Sequence, residues 1–149
     1  MAPNPKSRQR SNKPDPLHEV IDAKLYTVAE DKFRDEYLDE VTAVLNLSGD
    51  NSLIPNQEKF VCLNWTTDDN VQECQFEAAV RFCASVMKGK MQRVLIVGHQ
   101  DTVDTVATCV LREFMGCDAK TALNVMRNHR LSCVTKSELV ETVFKYKPS

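Results

Sequence analysis

The stretch Val94-Leu-Ile-Val-Gly-His-Gln-Asp-Thr-Val-Asp-Thr-Val-Ala-Thr-Cys-Val-Leu-Arg-Glu-Phe-Met115 decides the fold. Arg93 to Val97 reads as a continuous apolar run, the pattern of a strand buried on both faces of a parallel sheet. Gly98-His99-Gln100-Asp101-Thr102 follows as a short polar loop. Val103, Val106, Ala107, Val110, Leu111 and Phe114 then recur on one helical face, and Gly116 stops the helix. Strand, loop and helix in that order form the repeating unit of an α/β domain. In an open sheet of this kind ligands gather at the carboxyl ends of the strands, where a helix N-terminus also presents unbonded N–H groups. Gly98, His99, Gln100, Asp101, Thr102, Val103 and Asp104 are therefore the candidate binding residues.

Outward from this unit the same alternation continues. Upstream, Leu25 to Val28 reads as a strand, Glu30 to Asp39 as a charged helix with the apolar stripe Phe33, Tyr37 and Leu38, and Val41 to Leu47 as a short buried strand. Ser48 to Asn51 make a turn, and Phe60 to Trp65 form another strand that runs into the polar loop Thr66 to Asn70. Phe76, Ala79, Val80, Cys83 and Met87 mark a helix closed by Gly89. Downstream come a helix bearing Ala119, Ala122, Leu123 and Met126, and a last one with Leu139, Val140, Val143 and Phe144. The last is opened by Thr135 and Glu138 in capping-box spacing. Strands separated by helices predict a single α/β domain over residues 17–149, with a central, mostly parallel β-sheet flanked by helices.

The 149 residues, 42% hydrophobic and 27% charged, suffice for one domain with its own core. Residues 1–16 hold four of the six prolines, with Lys6, Arg8, Arg10 and Lys13 against Asp15. That composition predicts a disordered basic tail of net charge +3, leaving −5 to the rest. Such a tail is either a docking or targeting arm or a solvated terminus. The overall charge of −2 removes the electrostatic footprint expected for nucleic acid or anionic lipid. No apolar stretch approaches the roughly 20 residues that cross a bilayer, and the polar, proline-rich start has no secretion signal. The six cysteines (Cys62, Cys74, Cys83, Cys109, Cys117 and Cys133) read as buried thiols of a reducing, cytoplasmic compartment.

Of the four glycines, Gly49 is explained by a turn and Gly89 and Gly116 by helix ends, whereas Gly98 has no such structural reason. Asp101 and Asp104 put two carboxylates at the start of a helix, where they compensate its positive end. Trp65 reads as a core aromatic. Arg127, His129 and Arg130 read as a basic helix terminus or a dock for an acidic partner.

The stretch quoted above resembles the signature region of dual-specificity protein phosphatases, whose loop reads His-Cys, five residues, Arg, Ser. Other landmarks are similar in order and spacing. Val44-Leu-Asn-Leu-Ser48 matches the strand ending Asn-Val-Ser, Phe60 to Asn70 the general-acid loop, and Phe76-Glu-Ala-Ala-Val80 the next helix. Ala122 to Arg130 matches the helix with a basic end. The resemblance spans Lys24 to Phe144 and implies that fold. It places Val97 at the family's His, Gly98 at its nucleophilic Cys, Asp104 at its Arg and Thr105 at its Ser; the loop glycine becomes Asp101. Asp68 or Asp69 stands at the general acid. Phosphoryl transfer through this loop needs a thiolate and an arginine fork on the phosphate oxygens, and Gly98 and Asp104 supply neither. One like-charge contact at about 4 Å costs roughly 1 kcal/mol in water and roughly 4 kcal/mol when partly shielded, which also disfavours phosphopeptide binding.

The resemblance thus implies a pseudophosphatase without cofactor or metal that acts on a protein partner. The alternative is a hydrolase, either with a non-standard nucleophile or with a metal on His99 and Asp101. Gly98-His99-Gln100-Asp101-Thr102-Val103 is also similar to the strand-end motif of zinc amidohydrolases and aminopeptidases, whose sites need further ligands.

Overall fold

The computed structural model describes residues 17–64, 73–129 and 134–148. The tail expected over residues 1–16, Trp65, Asp68, Asp69, Arg130 and Cys133 lie outside them.

Five strands, β1 (His18–Ile21), β2 (Leu25–Ala29), β3 (Ala43–Asn46), β4 (Val61–Asn64) and β5 (Val94–Gly98), form one sheet in the order β1-β2-β5-β3-β4. β1 is antiparallel to β2, and the other three pairings are parallel. β5 lies in the middle, with Leu25↔Val94 through Ala29↔Gly98 on one side and Ala43↔Val94 through Asn46↔Val97 on the other. Its five residues are all buried, as its apolar run predicts. The carboxyl ends of β2, β5, β3 and β4 therefore share one edge, and β1, running the other way, starts at that edge.

Alternation along the strands splits the core into two layers. Leu25, Leu45, Val94 and Ile96 face the helices, meeting Val80, Cys83 and Met87 of α1 (Glu73–Met87) and Val106 and Val110 of α2 (Gln100–Met115). Tyr26, Val28, Val44, Leu95 and Val97 face the opposite side, beneath Leu38, Val41 and Ile54. Fully burying each such aliphatic side chain contributes about 1.5–3 kcal/mol, so the sheet's two-sided burial is the main source of stability. α3 (Ala119–His129) and α4 (Ser137–Lys145) complete the helical layer. Arg112 of α2 fastens α4: its guanidinium donates to the Val143 carbonyl at 2.9 Å and to that of Tyr146, satisfying acceptors at a helix end. Lys24 does the same for α1, donating to the Met87 carbonyl at 2.9 Å.

Several expectations need correction. β1 has no counterpart in the sequence reading. The charged helix over Glu30 to Asp39 is two 3-10 segments, Glu30–Lys32 and Asp35–Glu40, separated by extended backbone at Phe33 and Arg34. The apolar stripe still packs, with Leu38 buried and Phe33 and Tyr37 against it. Gly89 does not take a left-handed conformation; Met91 does, at φ 63°. The capping box of Thr135 and Glu138 does not form, because Lys136 is the N-cap and makes no side-chain cap. Phe144, expected on the core face of α4, is 57% exposed.

Gly116 matches its expected role, closing α2 at φ 71° with its N–H donating to the Arg112 carbonyl. A Cβ there would meet no atom within 4 Å, so only the backbone conformation opposes a side chain. Gly116→Ala is expected to lower unfolding free energy in urea by about 1 kcal/mol, and Gly116→Asn by less. An undiminished Gly116→Ala protein would show that this turn does not hold its conformation in solution.

Candidate functional site

At the carboxyl edge, β5 ends at Gly98 and only His99 separates it from α2. His99 is extended, at φ −62° and ψ 135°, and is the N-cap; the Val103 N–H donates to its carbonyl at 2.9 Å. The expected polar loop from Gly98 to Thr102 is thus already helix from Gln100 onward, and no wide loop separates Gly98 from Asp104. The correction has a physical basis in the residues themselves. Asp101 and Asp104 lie in the first turns, where negative charge favours helix. Thr105 returns its hydroxyl to the Asp101 carbonyl at 2.7 Å, and Thr108 to that of Asp104 at 2.6 Å.

Gly98 has the structural reason that the sequence did not reveal. Leu47, just past the end of β3, keeps its N–H on the Val97 carbonyl at 2.7 Å. A Cβ on residue 98 would lie 2.8 Å from the Leu47 Cβ and 3.0 Å from its carbonyl carbon. Two backbones meet there, and only glycine lets them approach so closely. At the position matched to a nucleophile there is neither a side chain nor room for one.

The two aspartates also diverge from the expectation that both face an incoming anion. Asp104 is 2% exposed and accepts from the Gln100 side-chain amide at 3.0 Å, with Thr105 buried beside it. Asp101 is partly exposed and paired with Lys136, the N-cap of α4, at 2.7 Å. The hydrogen bond and the attraction of Asp101 hold the Lys136 ammonium above its ordinary pKa. Val103 is buried in the helical core, Thr102 and Gln100 are half-buried, and His99 is exposed. Of the metal alternative's two ligands, Asp101 is thus engaged by an ammonium. Among the described residues, no three His, Cys, Asp or Glu side chains gather in a metal-binding group.

A polar network beside this loop escaped the sequence reading. Asn46 and Asn64 end β3 and β4 at paired positions, and Asn46 donates to the Asn64 side-chain carbonyl at 2.8 Å and to the Asp50 backbone carbonyl at 3.0 Å. Ser48 donates to the Asn46 side-chain carbonyl at 2.6 Å, and Asn64 to Gln57 at 2.9 Å. The signal was present in Asn46-Leu-Ser48 but served only as a landmark. The network fixes the turn after β3 and, through it, the position of Leu47.

Among the described residues, four thiols can be placed, and none of them lies at the end of β5. Cys109 is fully buried on α2, and burial pushes its pKa up to about 12; burial also raises Cys83 strongly. Cys62 and Cys117 are half-buried rather than buried as expected, and burial raises both. All four of these thiols are free. Arg127 donates to the Val134 carbonyl at 2.7 Å. His129 is exposed.

This architecture is similar to that of solved dual-specificity phosphatase structures. The structure of human DUSP28 matches with a TM-score of 0.72 at 16% identity, covering 89% of this chain and 93% of that one. That of a mouse dual specificity phosphatase complexed with zinc tungstate matches at 0.72 and 16%, covering 89% and 87%. PTPMT1 in complex with PI(5)P matches at 0.67 and 15%, covering 88% and 94%. At such identity the likeness establishes the fold. No protein-family model and no curated protein matches the sequence. Among the described residues, no helix is long and apolar enough to cross a membrane.

Gly98→Ala is expected to cost about 1–3 kcal/mol in urea unfolding, as an overpacked site, with the Leu47 amide resonance displaced; an unperturbed variant would place the two chains farther apart. In iodoacetamide labelling of the folded protein at pH 8, read by mass spectrometry, Cys62 and Cys117 are expected to react before the other two described thiols. Cys83 and Cys109 should react only after unfolding, and early labelling of Cys109 would contradict its burial.

Proposed function

We propose that this chain is a pseudophosphatase: a catalytically inactive protein of dual-specificity phosphatase fold that works by binding or regulating another protein in a reducing, cytoplasmic setting. The observation that carries the reading is the contact of Leu47 with Gly98. Attack on phosphorus in this fold needs a thiolate at the strand end, and the matched position is closed to any side chain larger than hydrogen. The start of α2 at Gln100 adds to this, because it leaves no loop to surround a phosphate. The charge is also reversed. Where an arginine fork would bind phosphate oxygens, Asp104 is buried, and Asp101 stands one turn before it. A repulsion of a few kcal/mol lowers affinity on the order of a hundredfold or more, so an unphosphorylated protein surface is the favoured ligand over a phosphopeptide. The free thiols agree with a reducing compartment.

The test is release of p-nitrophenol from its phosphate ester by the purified protein, beside Gly98→Cys/Asp104→Arg. The parent is expected to match a heat-unfolded control. The double variant is expected to stay inert and to melt earlier, since a cysteine side chain has no space at position 98 and an arginine replaces a buried residue. Saturable turnover by the parent that follows the protein through chromatography, and that vanadate suppresses, would overturn the reading.

A further inference from the structure

The backbone leading into α4 runs against the preferences of its own residues. Among the described residues, Ala23, Asn56, Met91 and Val134 are the non-glycine residues of positive φ, and of these Val134 alone is β-branched. At φ 50° its Cβ crowds the backbone, a conformation that L-residues avoid and branched ones most of all. Two residues on, Lys136 is the N-cap of α4 at ψ 137°, with no side-chain cap. The capping-box sequence Thr135-Lys-Ser-Glu138, which would start the helix one residue earlier, stands unused.

Tertiary contacts hold the segment in this form. The Val134 side chain is buried in the helical core, and Arg127 of α3 donates to its carbonyl at 2.7 Å. The Lys136 ammonium donates to the Asp101 carboxylate, at the start of α2, at 2.7 Å. The ion pair is the contact that solvent reaches, its side chains being 61% and 38% exposed. An exposed pair stabilises no more than a good N-cap does, so the pair prevails over the capping box only together with the burial of Val134. The two arrangements exclude each other. For Thr135 to cap the helix, Lys136 has to become its first residue, with ψ moving from 137° to about −42°. That half-turn about the Cα–C bond redirects the Lys136 side chain and takes its ammonium from Asp101.

We infer that the start of α4 is a two-position switch set by the pairing of Asp101. With Asp101 on Lys136, Val134 stays left-handed and α4 begins after Lys136. With Asp101 released, Thr135 caps the helix and Val134 returns to extended backbone. The Thr135 hydroxyl then accepts from the Glu138 N–H, and the Glu138 carboxylate from the Thr135 N–H, which satisfies two donors that are otherwise left to solvent. Asp101 stands at the carboxyl edge of the sheet, 35 residues before Lys136 in the chain. A basic side chain that takes Asp101 binds one arrangement and not the other, which is the differential contact that a change of state requires. The switch itself stands apart from the proposed function; only its operation by a bound protein rests on that reading.

The experiment follows the backbone and Cβ chemical shifts of residues 134–138 in the isotope-labelled full chain, beside Asp101→Asn and Lys136→Gln, which break the same pair from opposite sides. The parent is expected to show extended shifts at Lys136 and left-handed ones at Val134. In both variants residue 136 is expected to move to helical values and Val134 to extended ones. Thr135→Ala should leave the urea midpoint of the parent unchanged and lower that of Asp101→Asn, since only the second arrangement uses the hydroxyl. Parent-like shifts at residues 134–138 in both variants overturn the proposal. So does a change seen in Asp101→Asn alone, which belongs to the start of α2, and so do helical shifts at Lys136 in the parent. An equal loss from Thr135→Ala in both backgrounds overturns the role of Thr135 as the alternative cap. None of these readouts involves catalysis or a partner, so turnover of the phosphate ester would sink the proposed function and leave the switch standing or falling on its own.

Discussion

Leu47 and Gly98 touch where two parallel strands leave the sheet, and much of the site's character follows from that contact. The β3 chain stays hydrogen-bonded to β5 one residue past its last paired position, through the Leu47 N–H and the Val97 carbonyl. The Asn46, Ser48 and Asn64 network holds the following turn in place. The leucine side chain is thereby committed to the helical core, and the space above the end of β5 is filled by backbone. Residue 98 must be glycine, and the polypeptide must turn at once into α2. The glycine at position 98 is in this sense a packing property of the edge, shared by several residues.

The fold was legible because its signals are redundant. The apolar run of β5, the stripes on α1 and α2 and the glycine after α2 each point to strand-helix units, and the landmark residues agree in order. What failed to show was local. β1 is four residues long and carries His18 and Glu19, too polar and short for a periodicity to emerge. The segment from Glu30 to Glu40 has a helical apolar spacing, yet forms 3-10 turns because Phe33, Tyr37 and Leu38 have to reach one sheet face from a chain that is crossing it. The capping box near Thr135 lost to the ion pair of Lys136 with Asp101, a contact between residues 35 apart.

At the end of β5 the sequence reading misjudged the environments of its candidate residues. Gly98 looked unexplained because its explanation lies on another strand. Asp101 and Asp104 looked equivalent because both are aspartates near a helix start, yet one is paired at the surface and the other is buried with Gln100. A lone sequence gives residue type and spacing along the chain; it does not give the distance from Leu47 to Gly98, and that distance decides which side chains position 98 can hold.

The acidic residues have a structural effect that explains why the inverted charge is compatible with this fold. A helix N-terminus carries roughly half a positive charge and unbonded N–H groups, which elsewhere make it a place for anions. Here a carboxylate lies within the first turn of α2 itself, at Asp101, with Asp104 following it. α2 thus starts at Gln100 with negative charge of its own near its positive end. The scaffold beneath tolerates this because its stability comes from the buried layers on both faces of β5. A framework held by apolar burial can carry a change in the charge of its edge residues without losing the sheet beneath them.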